Sequence, residues 1–259
     1  MEVPLPAIYS SGARRGNSLL VDPSQLRTVL TNLSHELCRQ LASLRAGFDL
    51  ILSEAESNIA EDQSAHLLKM VSLCDELLGF TRSSLDYAAI AHGSRPLCLG
   101  SFTIRALIEE IDRQFAPQAR SRRIQWETHA TNPDAVVLTD VSRCQQILGN
   151  LVSNALKYTP PGGRVQVAAV VEREFWRLSV SDSGLGIPDS WHEKVFEPYV
   201  RLARDEKAGI EGSGLGLAIC RELVDQLHGT IALDSTEGMG TSLHIRFPIA
   251  ACPTPIMTT

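Results

Sequence analysis

The sequence predicts an α+β protein in two parts, an antiparallel helical hairpin followed by an α/β sandwich. Three observations predict it. Apolar residues recur in steps of three and four along two long segments of the first part. After Gly93-Ser94-Arg95-Pro96 the text changes to helices interleaved with alternating strands. Two glycine runs, Asp182-Ser183-Gly184-Leu185-Gly186 and Gly212-Ser213-Gly214-Leu215-Gly216-Leu217, then mark a binding loop and the start of a helix.

At 259 residues the chain is long enough for two ordinary domains with cores of their own. Hydrophobic residues make up 44% and charged ones 21%, an ordinary globular balance. A net charge of -6 leaves no footprint of nonspecific nucleic-acid binding, so an acidic ligand has to be held by a local site. Apolar stretches are broken by charge before the roughly 18 residues that cross a bilayer, and no charged-then-apolar leader opens the chain. No membrane span and a cytoplasmic location are therefore expected. The six cysteines, Cys38, Cys74, Cys98, Cys144, Cys220 and Cys252, show no paired short spacing and read as reduced thiols, mostly small core residues. Only Cys38, three positions from His35, sits where a redox role would matter.

Residues 1–22, with Pro4, Pro6, Gly12 and Gly16, read as a flexible arm, and 251–259 as a flexible tail. The hairpin takes up 23–93. Asp22-Pro23-Ser24 is a helix start signal, and Leu26, Leu30, Leu33, Leu37, Leu41, Leu44, Phe48 and Ile51 form one seam. Asn58 to Glu61 interrupt it, and Leu67, Met70, Cys74, Leu77, Thr81 and Leu85 form a second. A hairpin buries only one face of each helix, so its completion is a second copy, a four-helix bundle in a homodimer. A linker, 94–100, leads to a nucleotide-binding domain at 101–250. There the text predicts a helix from Phe102 to Ala119 capped by Ser101, a strand at Ile124 to Thr128, and a short buried strand at Val136 to Leu138. Asp140 caps a helix through Tyr158. Strands follow at Val165 to Val171 and Arg177 to Val180, then a helix from Ser213 to His228 and closing strands near Ile231 and Leu243 to Phe247.

His35 points roughly 160° away from the mean direction of its seam, so it is expected to face solvent. A neutral imidazole has a lone pair able to attack phosphorus. The neighbouring Glu36 is typed to accept the proton from the other ring nitrogen. Further on, Asn150, Asn154 and Lys157 share one helix face and Tyr158 closes it. The amide oxygens suit magnesium, and the lysine suits phosphate. Asp182, at a strand end, is placed to accept from an exocyclic amine such as that of adenine, with Gly184 and Gly186 allowing close backbone approach. Gly212, Gly214, Gly216 and Leu217 open a helix whose free amides receive phosphate. No Gly-Lys-Ser or Gly-Lys-Thr follows, which excludes a Walker loop, and no strand ends directly before the run, which disfavours a dinucleotide fold. Pro188 to Glu211 read as a mobile lid. Arg201 is the lid residue expected at the terminal phosphate, with Arg204 and Lys207 solvated.

The order of these segments resembles the catalytic core of a sensor histidine kinase over residues 24 to 248. Ser34-His35-Glu36-Leu37 resembles the phosphoacceptor box, and Asn150 to Thr159 the asparagine box. Asp182 to Pro188 resembles the first glycine box, Phe196-Glu197-Pro198-Tyr199-Val200-Arg201 the phenylalanine box, and Gly212 to Leu217 the second glycine box. The resemblance implies a Bergerat-type ATP-binding sandwich, with Mg2+ held by Asn154 and Asn150, phosphate at Lys157, the base beside Tyr158 and Asp182, a late turn at Gly240-Thr241 closing the adenine site, and Arg201 assisting transfer. It further implies ATP as phosphoryl donor and a response regulator receiver domain as acceptor; no sensor is recognisable in the sequence, which leaves open whether a separate upstream sensor protein supplies the input. One departure stands out: Arg39 and Gln40 occupy positions where the family carries threonine or asparagine and then proline, which implies weak phosphatase activity and a straighter first helix. Two other functions fit the same pocket: an ATPase such as a serine kinase or ATP-driven clamp, and a non-catalytic ATP-binding scaffold paired with an active kinase.

Overall fold

The computed structural model describes residues 37–49, 51, 61–91, 96–208, 210 and 212–249. His35, Glu36, the expected arm and tail, and Cys252 lie outside the described residues. Helix α1 runs over 37–49 and helix α2 over Glu61–Ala91. Arg45 joins them through an ion pair to Asp75 at 3.2 Å. Of the α2 seam only Cys74 is buried, while Leu37 and Leu44 of α1 and Met70 and Leu77 of α2 are exposed. Within one chain the described parts of the two seams are therefore left partly open to water.

Strand β1 (Gly100–Thr103) pairs antiparallel with β3 (Val136–Thr139), from Gly100 opposite Thr139 to Thr103 opposite Val136. This corrects the expected helix start. Phe102 belongs to the strand, and α3 (Ile104–Ser121) is capped by Thr103, whose hydroxyl accepts from the Ala106 amide at 3.2 Å. Pairing with β3, and the edge-on contact of Phe102 with Trp176 at 6.2 Å, outweigh local helical spacing. Strand β3 is buried only at one side, with Val137 enclosed and Val136 exposed.

The main sheet has the order β2-β4-β5-β7-β6: β2 Gln125–Thr131, β4 Arg164–Val171, β5 Phe175–Asp182, β7 Gly240–Pro248 and β6 Thr230–Thr236. Only the β2–β4 pair is parallel. Because strand side chains alternate, register lines up Val167, Val180, Leu243 and Leu233 as one apolar row, and Ala169, Leu178, Ile245 and Ile231 as the next. Helices α3, α4 (Val141–Tyr158) and α6 (Gly216–Gln226) cover that face. Cys144, Ile147, Leu148, Leu151, Val152 and Ala155 of α4 recur at helical spacing, and all are buried. Each large member contributes roughly 1.5–3 kcal/mol. Trp176 stacks on Phe247 at 4.8 Å near the far end of the core.

Tyr87 and Ile90, in the last turns of α2, join this core, and α2 rests against α6. Between β5 and α6 the chain forms two single 3-10 turns, Asp189–Trp191 and Lys194–Phe196, and a short helix α5, Ala203–Lys207. Val195, Phe196 and Leu202 are buried, so the expected lid is anchored to the core over part of its length.

Candidate functional site

Helix α4 begins where its sequence says it should. Asp140 caps it, its carboxylate accepting from the Arg143 amide at 3.2 Å. The helix then delivers Asn150, Asn154, Lys157 and Tyr158 along one side of a cavity of about 290 Å³. Asp182 and Gly186 form its base, Thr241 and Leu243 its back, Arg201 and Arg204 its lid side, and Gly212, Gly214, Gly216 and Leu217 its other wall. Residues from five regions of the chain, expected separately to meet a nucleotide, thus face one volume.

Asp182 lies at the end of β5, between the amide of Gly184, which donates to it at 2.8 Å, and the backbone of Thr241. Burial pushes its carboxyl up to about 6, against the opposing pull of those two backbone donors. Gly184 does not line the cavity. A Cβ there would meet the Tyr158 carbonyl oxygen at 2.5 Å and the Asp182 carboxylate at 2.7 Å, so it serves by letting the Asp182 turn close against α4. Gly186 (φ +62°) has the same kind of reason: a Cβ would collide with the Thr236 carbonyl of β6 at 1.9 Å.

At the opposite end α6 begins with no side-chain cap, its first residues Gly216 and Leu217 facing the cavity. Uncapped amides with the positive end of the helix dipole make a seat for phosphate. The Lys157 ammonium lies beside the Cα of Gly212, where a Cβ would meet Nζ at 2.5 Å, and 4.8 Å from the centre of the Tyr158 ring. The two asparagines differ. Asn150 donates to the Gly216 carbonyl at 3.4 Å, tying α4 to the start of α6, whereas Asn154 faces Gly216 across the cavity. Amide oxygens of this kind are hard donors that fit magnesium.

On the lid, Arg201 donates to the Ile210 carbonyl, and its Nε is buried with no partner. A buried cationic N–H without an acceptor is suited to an arriving anion. Arg204 is only partly solvated, 31% exposed, where full solvation was expected. It bonds the Gly186 carbonyl and the Glu237 carboxylate, the latter at 2.7 Å, and so clasps α5 onto the base end of the cavity. Lys207 is exposed as expected. Asp205 is a lining residue that sequence reading missed; it is 3% exposed and hydrogen-bonded to the Tyr158 hydroxyl. Burial, then the Asp205 charge, push that phenol up to about 12, so it remains a donor. Ser83 of α2 also reaches the cavity, and Phe80 meets Tyr199 at a ring distance of 6.2 Å. Neither residue carried a local signal, since both matter only through contacts made far along the chain.

The described cysteines are all unpaired. Burial pushes Cys144 and Cys220 up to about 12, which makes them core residues without thiolate chemistry. Cys38 is half-buried, and Arg39 and Gln40 are exposed on α1. Among the described residues no helix is long and apolar enough to cross a membrane.

The family of histidine kinase-, DNA gyrase B- and HSP90-like ATPases matches residues 139–251. The adaptive-response sensory kinase SasA of Synechococcus sp. (strain JA-2-3B'a(2-13)) is 32% identical over 234 residues, covering 85% of this chain and 59% of that protein. Full-length ShkA, crystallised in complex with AMPPNP, superposes with a TM-score of 0.71 at 27% identity over 90% of this chain and 48% of its own. Histidine kinase ThkA in complex with the response regulator protein TrrA shares the fold, with a TM-score of 0.60 at 23% identity, over 88% of this chain and 64% of that one. The chain spans 26% to 59% of the length of curated relatives it matches, so it corresponds to one portion of proteins built from more parts. With an ATPase module of this type behind a helical hairpin, the chain is similar over most of its length to the catalytic core of sensor histidine kinases.

Proposed function

We propose that this chain is an ATP-dependent protein-histidine kinase of two-component signalling, which phosphorylates itself on His35 and passes the group to an aspartate of a response regulator. The observation that supports it most is the convergence of Asp182, Asn154, Lys157, Arg201 and the uncapped start of α6 on one cavity. Asp182 accepts from the adenine amine, Tyr158 flanks the base, and Lys157 with the α6 amides holds the phosphates. Asn154, with Asn150 beside it, would hold Mg2+, which would supply positive charge to offset that of the transferred group. Arg201 neutralises the equatorial oxygens as charge develops. The His35 ring nitrogen bonds to the γ-phosphorus while the bond to the β–γ bridging oxygen breaks and ADP leaves. Glu36 takes the proton from the other ring nitrogen.

The receiver domain as partner is supported by the ThkA–TrrA complex, and dimerisation by the open seams of α1 and α2. An upstream sensor is supported by the greater length of the relatives. Incubation with labelled ATP and magnesium tests the reading. The expected product is an acid-labile, alkali-stable phosphoprotein that His35→Ala abolishes; acid-stable label, or label that survives the substitution, would overturn it. Phosphatase activity is expected to be weak because Arg39 stands where a water-positioning polar residue belongs. Arg39→Thr should then speed regulator dephosphorylation, and no gain over the parent would count against that assignment.

A further inference from the structure

Helix α5 has five residues, too few to hold itself together, and its side chains fasten it to two separate walls of the cavity. Arg204 bonds the Gly186 carbonyl and Glu237, at the glycine loop and the β6–β7 turn. Asp205 bonds instead the hydroxyl of Tyr158, at the end of α4. The backbone that carries this carboxylate is fixed on both sides: the Asp205 amide donates to the Leu202 carbonyl, and the Asp205 carbonyl accepts from the Ile210 amide, each at 2.9 Å. Asp205 is 3% exposed, and Arg204 Nε lies 3.4 Å from its Oδ1. A carboxylate so enclosed is costly to keep without donors, and the Tyr158 hydroxyl is one of the two it has here.

The bond matters as much to the tyrosine. A phenolic oxygen lies on the long axis of its side chain, so an acceptor held in place there fixes where the ring points. The Tyr158 phenol, pushed up to about 12, stays a donor. Lys157 Nζ stands 4.8 Å from the ring centre and limits its rotation. The ring, pinned at its tip and covered by an ammonium, lines the same cavity as Asp182.

We propose that Asp205 is a positioning residue for the base end of the nucleotide site: it holds the tip of the Tyr158 ring so that the ring stands in place before the adenine arrives. The proposal rests on the reading above that sets Tyr158 beside the base. A ring already fixed loses less freedom when the ligand enters, and the gain appears as affinity. Asp205 acts through Tyr158, whereas Arg201, four positions earlier on the same lid, is assigned to the phosphates. The two ends of the nucleotide are thus served by different residues of one lid.

Competition against a fluorescent ATP analogue, with adenosine and with ADP as the competing ligands and the full chain as the protein, tests this. Tyr158→Phe removes the hydroxyl alone and should weaken both ligands about fivefold and by the same factor, since both present the same base. Asp205→Ala should do likewise. Asp205→Asn keeps a side-chain oxygen for the hydroxyl and should stay within about twofold of the parent. In a Tyr158→Phe background, Asp205→Ala should weaken binding no further, because the bond it serves is already gone. A loss confined to ADP, an Asp205→Asn variant no better than Asp205→Ala, or a full further loss in the double variant overturns the proposal; the last would make Asp205 a support of α5 alone. Tyr158→Ala tests the underlying reading separately. Adenosine affinity unchanged in that variant would remove Tyr158 from the base and this role with it, whereas a loss there combined with additive effects at Asp205 would overturn the role of Asp205 and leave Tyr158 beside the base.

Discussion

At the residue scale the site turns on one carboxylate. Asp182 is held near the middle of the physiological range by burial, at about 6, well above an ordinary aspartate. The folded state therefore binds its proton more readily than the unfolded chain does. The resulting stability is complete below the unfolded value and is lost as pH rises through about 6. Nucleotide binding has the opposite sign, because the amine of adenine needs the ionised acceptor. Affinity for ADP should fall as pH is lowered from 7 to 5, with a limiting slope of about tenfold per pH unit below 6. Titration calorimetry across that range, with Asp182→Asn as control, checks it; a flat profile in the parent would remove Asp182 from base recognition. The contact of this carboxylate with its turn was legible, since strand, acid and glycines follow in order. What Gly184 and Gly186 are for was not. Their spaces are occupied by the Tyr158 and Thr236 backbones, and no local pattern announces which distant carbonyl will press on a glycine.

At the element scale, segments with strong periodicity and a cap were readable, and those governed by partners were not. Helix α4 runs from its Asp140 cap to Tyr158 as its spacing demands. Strand β1 was hidden because Phe102 fits a helical seam equally well, and only β3 decides the matter. The roles of Arg204 and Asp205 on the lid were hidden for a related reason. Ala203 to Lys207 looks like a solvated charged run, yet α5 turns Arg204 onto the Gly186 carbonyl and Glu237, and Asp205 onto Tyr158. The clasp has a consequence for exchange of nucleotide. Arg204→Ala removes a charged hydrogen bond to a carbonyl and a partly exposed ion pair, together worth about 1.5 kcal/mol or somewhat more. Amide exchange over 203–208 should quicken about tenfold, and ADP should dissociate faster with little change in its association rate. Stopped-flow with a fluorescent nucleotide separates the two rates; an unchanged dissociation rate would mean that α5 does not gate the pocket.

At the scale of the whole molecule, the two parts obey different rules. The ATP-binding domain encloses a core that Tyr87 and Ile90 of α2 complete, whereas the hairpin leaves Leu44 and Leu77 exposed at 54% and 52%, close to the level where Arg45 pairs with Asp75. Leucines in a helical seam gain roughly 1.5–3 kcal/mol each on full burial, and here that gain is still open. Exposed apolar rows on both helices of a hairpin are matched by the same rows on a second copy, since a two-fold axis sets each seam against its equivalent. Leu44→Glu together with Leu77→Glu should then convert a dimer into a monomer, because four carboxylates would face one another in the bundle core. The ATP-binding domain shares none of that core, so its affinity for ADP should be untouched. Sedimentation equilibrium reads the first effect and calorimetry the second. A parent that sediments as a monomer would remove the bundle from the architecture, while a variant that loses ADP as well would show the two parts to be one cooperative unit.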